Sequence, residues 1–196
     1  MRSSSRASAD VLSIRALNRA TLERQMLLRR AAVSVEEAVE RLVGLQSQAP
    51  IPPYFGLWTR IEGFVPHDLS RLIEARRVVL IALMRSTIHL VSARDCLALR
   101  PLLQPVLERA HQGTYGKRLE GLDPAEIAAA GRALVEERPR TLGEVGALLA
   151  ERWPGRDPAA LSSAVRALVP MVQVPPRGLW GASGPATHAT AEAWGG

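Results

Sequence analysis

Two glutamines, Gln46 and Gln48, stand in the stretch RLVGLQSQAP, where an apolar helix stripe would continue with leucine. Each amide offers one acceptor and two donors. Such a pair can orient a water and anchor its target, so the chemistry it suits is positioning more than proton transfer. Whether the two amides converge depends on the backbone. On an ideal helix Gln46 extends the stripe of Val35, Val39 and Leu42, and Gln48 points roughly 200° away from it. If the helix unwinds before Pro50, residues 46 and 48 share one side of an extended stretch, with Ser47 opposite. The plainer alternative is a glutamine at a helix end bonding to nearby backbone.

A second polar set lies in MRSTIHLVS. Strict alternation places Arg85, Thr87 and His89 on one strand face and Ile88 and Leu90 on the other. Such a hairpin can offer Arg85 to a phosphate and the other two to a base or sugar, or it can simply be a solvated strand face. His67, His111 and His188 are scattered without ligand spacing, so no metal is expected. Tyr54, Trp58 and Phe64 read as packing aromatics. Glycine-rich phosphate loops, HExxH, GxSxG and paired carboxylates do not occur in the sequence. This removes kinases, metalloproteases, the usual serine hydrolases and Rossmann dehydrogenases.

The elements that must position these residues follow from periodicity and caps. Ile14, Leu17, Leu22, Met26 and Leu27 approximate one helix face between Leu12 and Leu28, among Arg15, Arg19, Arg24, Arg29 and Arg30. Ser34, three residues before Glu37, has capping-box spacing for a second helix, which Pro50, Pro52 and Pro53 are expected to end. A short helix over about Tyr54 to Ile61 and another over Pro66 to Arg77 come next, and VVLIALMRSTIHLVS reads as two strands joined by a tight turn. The order then returns. Leu99 to Gln112 and Asp123 to Arg138 are helical, Thr141 with Glu144 and Asp157 with Pro158 open two more helices, and MVQVPPRGLWGAS reads as strand, turn, strand. Helix, turn, helix, hairpin is the outline of a winged helix. The fold class expected is therefore mainly α with small β-hairpins, in tandem winged-helix units over residues 11–92 and 93–194. Arg166, beside Ser162 and Ser163, falls on the third helix of the second unit, the usual groove reader. Arg177 falls at its wing turn, where a phosphate contact is expected.

The chain's 196 residues, 47% hydrophobic and 22% charged, suit one or two globular domains, and no apolar run is long enough for a membrane helix. MRSSSRASAD reads as a disordered leader without a secretory h-region, leaving the cytoplasm, beside the nucleoid, as the expected location. Cys96 is the only cysteine, so no internal disulfide forms. A net charge of +6 points to a polyanion. Because only Lys117 among the 25 basic residues is a lysine, the arginine bias can equally reflect genome composition.

The segments LVGLQSQAPIPPYFGLWTRIEGF and LMRSTIHLVSARD, followed by a winged-helix outline closing in AEAW, resemble the bacterial tandem winged-helix DNA glycosylases, the AlkZ-like and YcaQ-like proteins. The resemblance covers about residues 11–194. It implies three winged helices and a small β-barrel in the full family pattern, so this chain, ending in AEAWGG, is similar to a C-terminally truncated member. It also implies a glutamine, apolar residue, glutamine motif for excision of alkylated bases and unhooking of interstrand crosslinks. Position by position that motif falls on Gln46 and Gln48, with Ser47 replacing the apolar residue. The expected partner is double-stranded DNA, alkylated or crosslinked, bound by a monomer that needs no cofactor. Two other readings remain: a non-catalytic winged-helix transcription regulator, and an inactive glycosylase fragment.

Overall fold

The computed structural model describes residues 11–195, so the expected leader lies outside the described residues. Helix α1 (Ile14–Arg24) is capped by Ser13 and ends at Arg24 rather than near Leu28, because the chain turns at Met26, whose φ is 56°. None of its residues is buried. Its apolar side chains, Ile14 and Leu17 among them, face solvent. Helix α2 (Val35–Arg41) starts as expected, with the Ser34 hydroxyl accepting the Glu37 N–H. It stops well before the prolines, because Val43 (φ 56°) and Gly44 (φ 99°) swing the chain into strand β1 (Leu45–Gln46). Then come α3 (Pro52–Trp58), α4 (Pro66–Glu74), β2 (Val78–Ala82), and β3 (Ile88–Ser92).

Ser92 caps the long helix α5 (Ala93–Tyr115), which begins six residues earlier than the periodicity suggested and accommodates Pro101 and Pro105. Helix α6 (Pro124–Glu137), strand β4 (Arg140–Thr141), α7 (Leu142–Arg152) and α8 (Pro158–Leu168) follow, with the Thr141–Glu144 capping box formed in both directions. Asp123 and Asp157 cap α6 and α8 through their carboxylates, with proline in the first turn of each. The partner of strand β5 (Met171–Gln173) is β6 (Thr187–Thr190), not the expected LWGAS. Residues 179–183 instead belong to the turns that connect the two strands. A short helix α9 (Ala191–Gly195) closes the described chain.

Among the described residues the six strands join one antiparallel sheet, in the order β1-β3-β2-β5-β6-β4. The contact of β2 with β5 at Leu80↔Gln173 and Ile81↔Val172 fuses the two hairpins into this sheet. Because side chains alternate across a sheet, its faces build separate cores. Leu80, Ile88 and Leu90 pack toward α2, α3 and α4, with Val39, Leu57 and Leu69. Val79, Ile81, Val91 and Val172 pack the other way, with Cys96 of α5. A third core joins α6, α7 and α8 through Ile127, Leu149, Leu161 and Val165. Each fully buried leucine or isoleucine of this kind contributes about 2 kcal/mol relative to exposure.

Candidate functional site

The two glutamines occupy an edge strand and the bend after it. Antiparallel pairing sets Gln46 against His89, and the Ser47 N–H donates to the Ile88 carbonyl at 2.7 Å. Gln46 and Gln48 are exposed while Ser47, between the end of the strand and the bend, is 3% exposed. The small Ser47 fits that buried place and turns its hydroxyl toward the Ala49 carbonyl. At Gln48 the backbone settles the amide's orientation. The Ile88 N–H donates to Gln48 Oε1 at 2.6 Å, so the oxygen must face inward and both amide hydrogens remain available.

Gln48 lines a cleft of about 380 Å³ with Ile88, Thr141, Leu142, Arg166, Gln173, Ala186 and His188. Gln46 is not among these residues. The reason lies in the sheet register. Gln46 falls in the cross-strand row of His89, Ile81 and Val172, whereas Gln173 and His188 fall in the row of Leu90 and Leu80, on the opposite face. The bend after Gln46 is what brings Gln48 to the second face.

The hairpin residues do not share the face that alternation predicted. Arg85 and Ser86 occupy the turn with φ of 54° and 57°, so strand alternation starts only at Ile88. Arg85 is exposed and has no ion pair among the described residues. Thr87 is half-buried and its hydroxyl donates to the Met84 carbonyl at 3.0 Å. His89 is 4% exposed, its Nδ1 is 3.0 Å from the Thr87 carbonyl, and α5 covers this face of the sheet. The expected surface histidine is thus an internal one.

The Arg166 guanidinium points inward as well. Its Nη2 donates to the Ser86 carbonyl at 2.6 Å, and burial pushes its pKa down. Helix α8 as a whole is internal: Leu161, Ser162, Ala164 and Val165 are buried, and Ser163 Oγ sits 3.1 Å from His111 Nδ1. Arg177, expected at an exposed wing tip, is half-buried, with Nη1 3.5 Å from the Gly184 carbonyl and a buried Nε that lacks a partner. The connection folds back because the Tyr54 hydroxyl donates to the Gly178 carbonyl at 2.6 Å and the Trp180 N–H donates to Ser70 Oγ at 2.9 Å.

Sequence reasoning missed Gln173 and His188 as cleft residues. His188 is buried, its Nδ1 lacks a partner, and desolvation, with the charges of Arg166 and Arg177, pushes its pKa down to about 4. No spacing signal connects these residues to Gln48, because the sheet joins them across more than a hundred positions. Among the described residues no group of three His, Cys, Asp or Glu side chains is placed to hold a metal, and no helix is long and apolar enough to cross a membrane.

A family model described as DNA glycosylase AlkZ-like matches residues 39–196, and the chain belongs to that family. Among solved structures, the Streptomyces sahachiroi DNA glycosylase AlkZ is similar in fold, with a TM-score of 0.65 and 17% sequence identity. The match covers 88% of this chain and 47% of the Streptomyces chain, so this chain spans about half the length of that relative. No curated protein gives a significant match. The family match includes Gln46 and Gln48 and leaves α1 outside it.

Proposed function

We propose that this chain belongs to a DNA repair glycosylase that hydrolyses the N-glycosidic bond of alkylated or crosslinked purines in double-stranded DNA, with Gln46 and Gln48 at the reacting centre. The observation that carries this reading is the locked Gln48 amide at the mouth of the cleft, two residues from an exposed and uncommitted Gln46. A purine alkylated at N7 or N3 is already cationic and leaves with the bonding electron pair without prior protonation. Water then bonds to C1′ and its proton passes to solvent. Amides suffice for such a reaction, because placing the water is the main requirement. Gln46 stands on the open edge strand of the sheet, so its exposed amide can reach round that edge to offer the acceptor for the water although its strand position belongs to the other face, while Gln48, whose oxygen is engaged, offers donors. On this reading two winged-helix units, residues 11–92 and 93–194, form the scaffold, a monomer binds the duplex, and Arg85 and Thr87 lie along the DNA path, with the half-buried Arg177 set back from it. His89 and Arg166 act from inside, since both point into the protein.

The regulator reading loses support from α8, whose serines and arginine are turned to protein partners rather than to a groove. The deciding experiment measures release of 7-methylguanine from a defined duplex by the chain and by an equally folded Gln46→Ala, Gln48→Ala variant. Base release by the first and at least a hundredfold less by the second is expected. Equal release by both removes the glutamines. Release by neither removes the activity from this chain.

A further inference from the structure

The polar residues that line the cleft beside Gln48 are Arg166, Gln173, His188 and Thr141, and no acidic residue lines it. Arg166 spends one of its five N–H donors on the Ser86 carbonyl and has no carboxylate partner among the described residues. A guanidinium withdrawn from water without a counter-charge is costly, and an anion would relieve that cost. Gln48 keeps both amide hydrogens free, as its oxygen is taken by the Ile88 N–H. His188, 96% buried by its 4% exposure, presents an Nδ1 with no partner. Arg177 lies near enough for its charge to act on the same imidazole. Thr141 and Leu142 bring the N-terminus of the eleven-residue α7, the positive end of its dipole, to the wall. Glu144, exposed at the rim, accepts the Thr141 N–H and hydroxyl and so occupies part of that end. Ile88, Leu142 and Ala186 supply apolar wall, which strengthens every charged hydrogen bond formed there.

We infer that this cleft, walled by Arg166, Gln48, Gln173, His188 and the start of α7, is a phosphate-binding site. The inference rests on the reading of the chain as a DNA-acting protein only for the source of the phosphate. A lone cationic purine is the wrong occupant, since Arg166 and Arg177 repel it, whereas phosphate matches a fork of donors. A backbone phosphate seated here fixes the strand next to Gln48 and leaves the sugar beside it in reach of the Gln48 amide. The Arg166 bond to Ser86 couples this phosphate to the turn that carries Arg85.

The test is a titration of the full chain with inorganic phosphate at constant ionic strength, followed by NMR of the His188 imidazole and the Gln48 and Arg166 side chains. Saturable shifts confined to these groups are expected. Arg166→Gln should weaken them at least tenfold, Arg166→Lys should weaken them less, and Arg15→Gln, on the exposed α1 and outside the cleft lining, should leave them unchanged. Should Arg166→Gln unfold, the wild-type titration still decides: shifts that stay linear and spread over the exposed arginines overturn the site. Adding a short duplex to the phosphate complex then separates the sources. Displacement of phosphate assigns the site to the DNA backbone, and retention keeps the site but overturns the DNA source in favour of free phosphate or a nucleotide. None of these readouts requires base release, so failure of the glycosylase reading and failure of this site are told apart.

Discussion

Between β2 and β3 the chain reverses within residues 83–87, whereas between β5 and β6 it takes residues 174–186 to do so. Both connections carry an arginine, yet they treat it in opposite ways. In the short turn the Thr87 N–H closes on the Met84 carbonyl at 3.2 Å around two left-handed residues, and Arg85 stands in solvent. A left-handed non-glycine residue costs about 1 kcal/mol, and the bond from Arg166 to Ser86 offsets part of that. In the long connection Tyr54 and Ser70 hold Gly178 and Trp180 against α3 and α4, and Arg177 is drawn inward with them. Gly178 has a φ of 95°, and a Cβ there would meet Leu80 at 3.1 Å, so this docked course needs glycine. The contrast shows that both turns are held by the rest of the fold, the short one by its Ser86 carbonyl, which leaves the Arg85 side chain outside, and the long one by Gly178 and Trp180, which draws Arg177 in.

The sharpest probe of the strand to which the long connection leads is acid. His188 binds its proton less readily when folded, with a pKa of about 4 against an ordinary 6.5, so the unfolded chain takes up more protons between those values. Stability is then complete above about pH 6.5 and falls as pH drops toward 4, by about 3 kcal/mol in total. Denaturant midpoints across this range, in buffers without phosphate, should show the slope, and His188→Gln should flatten it. An unchanged slope in the variant places the acid sensitivity elsewhere.

Tyr54→Phe removes the hydroxyl from the Gly178 carbonyl and should destabilise by about 2 kcal/mol, with faster amide exchange across residues 176–182. Exchange that is unaltered there would mean that the connection is held by packing alone. At the other hairpin the sign reverses. Ser86→Gly should stabilise by about 0.5 to 1 kcal/mol, since glycine adopts the left-handed region freely, and calorimetry can read a rise in Tm. The smallest effect belongs to Arg85→Ala. Stability should move by less than about 0.5 kcal/mol, while the salt dependence of duplex binding becomes shallower by about one phosphate contact. A matching change for Arg177→Ala would erase the distinction between the two arginines.

The helical caps were legible without any structure. Ser34, Asp123, Thr141 and Asp157 each open the helix that their spacing announced, because an N-cap bond spans only two or three residues. The β2–β3 hairpin was legible too, through β-branched runs on both sides of a polar turn. The end of α2 was not, since Val43 and Gly44 adopt left-handed backbone where the sequence pointed to prolines for the stop. Nor was the second strand of the last hairpin, where THAT, rather than LWGAS, supplies the partners of β5.

At the candidate site the sequence located Gln46 and Gln48 but not their surroundings. It placed Arg85, Thr87 and His89 on one face, and the turn broke that alternation before it began. It sent Arg166 and Arg177 outward, and long-range contacts, of Arg166 with Ser86 and of Tyr54 and Ser70 with the connection that carries Arg177, turned them in.

By itself the sequence determined the mainly helical class, the caps, the first hairpin and the two amides, all of which depend on residues close together in the chain. Only the tertiary structure decided that Gln48 meets Arg166, Gln173 and His188, that Gln46 faces another way, and which arginines stay exposed. The physical reason is the shared sheet. Its register between β2 and β5 joins segments some ninety residues apart, and no local periodicity encodes which face of one will meet which face of the other.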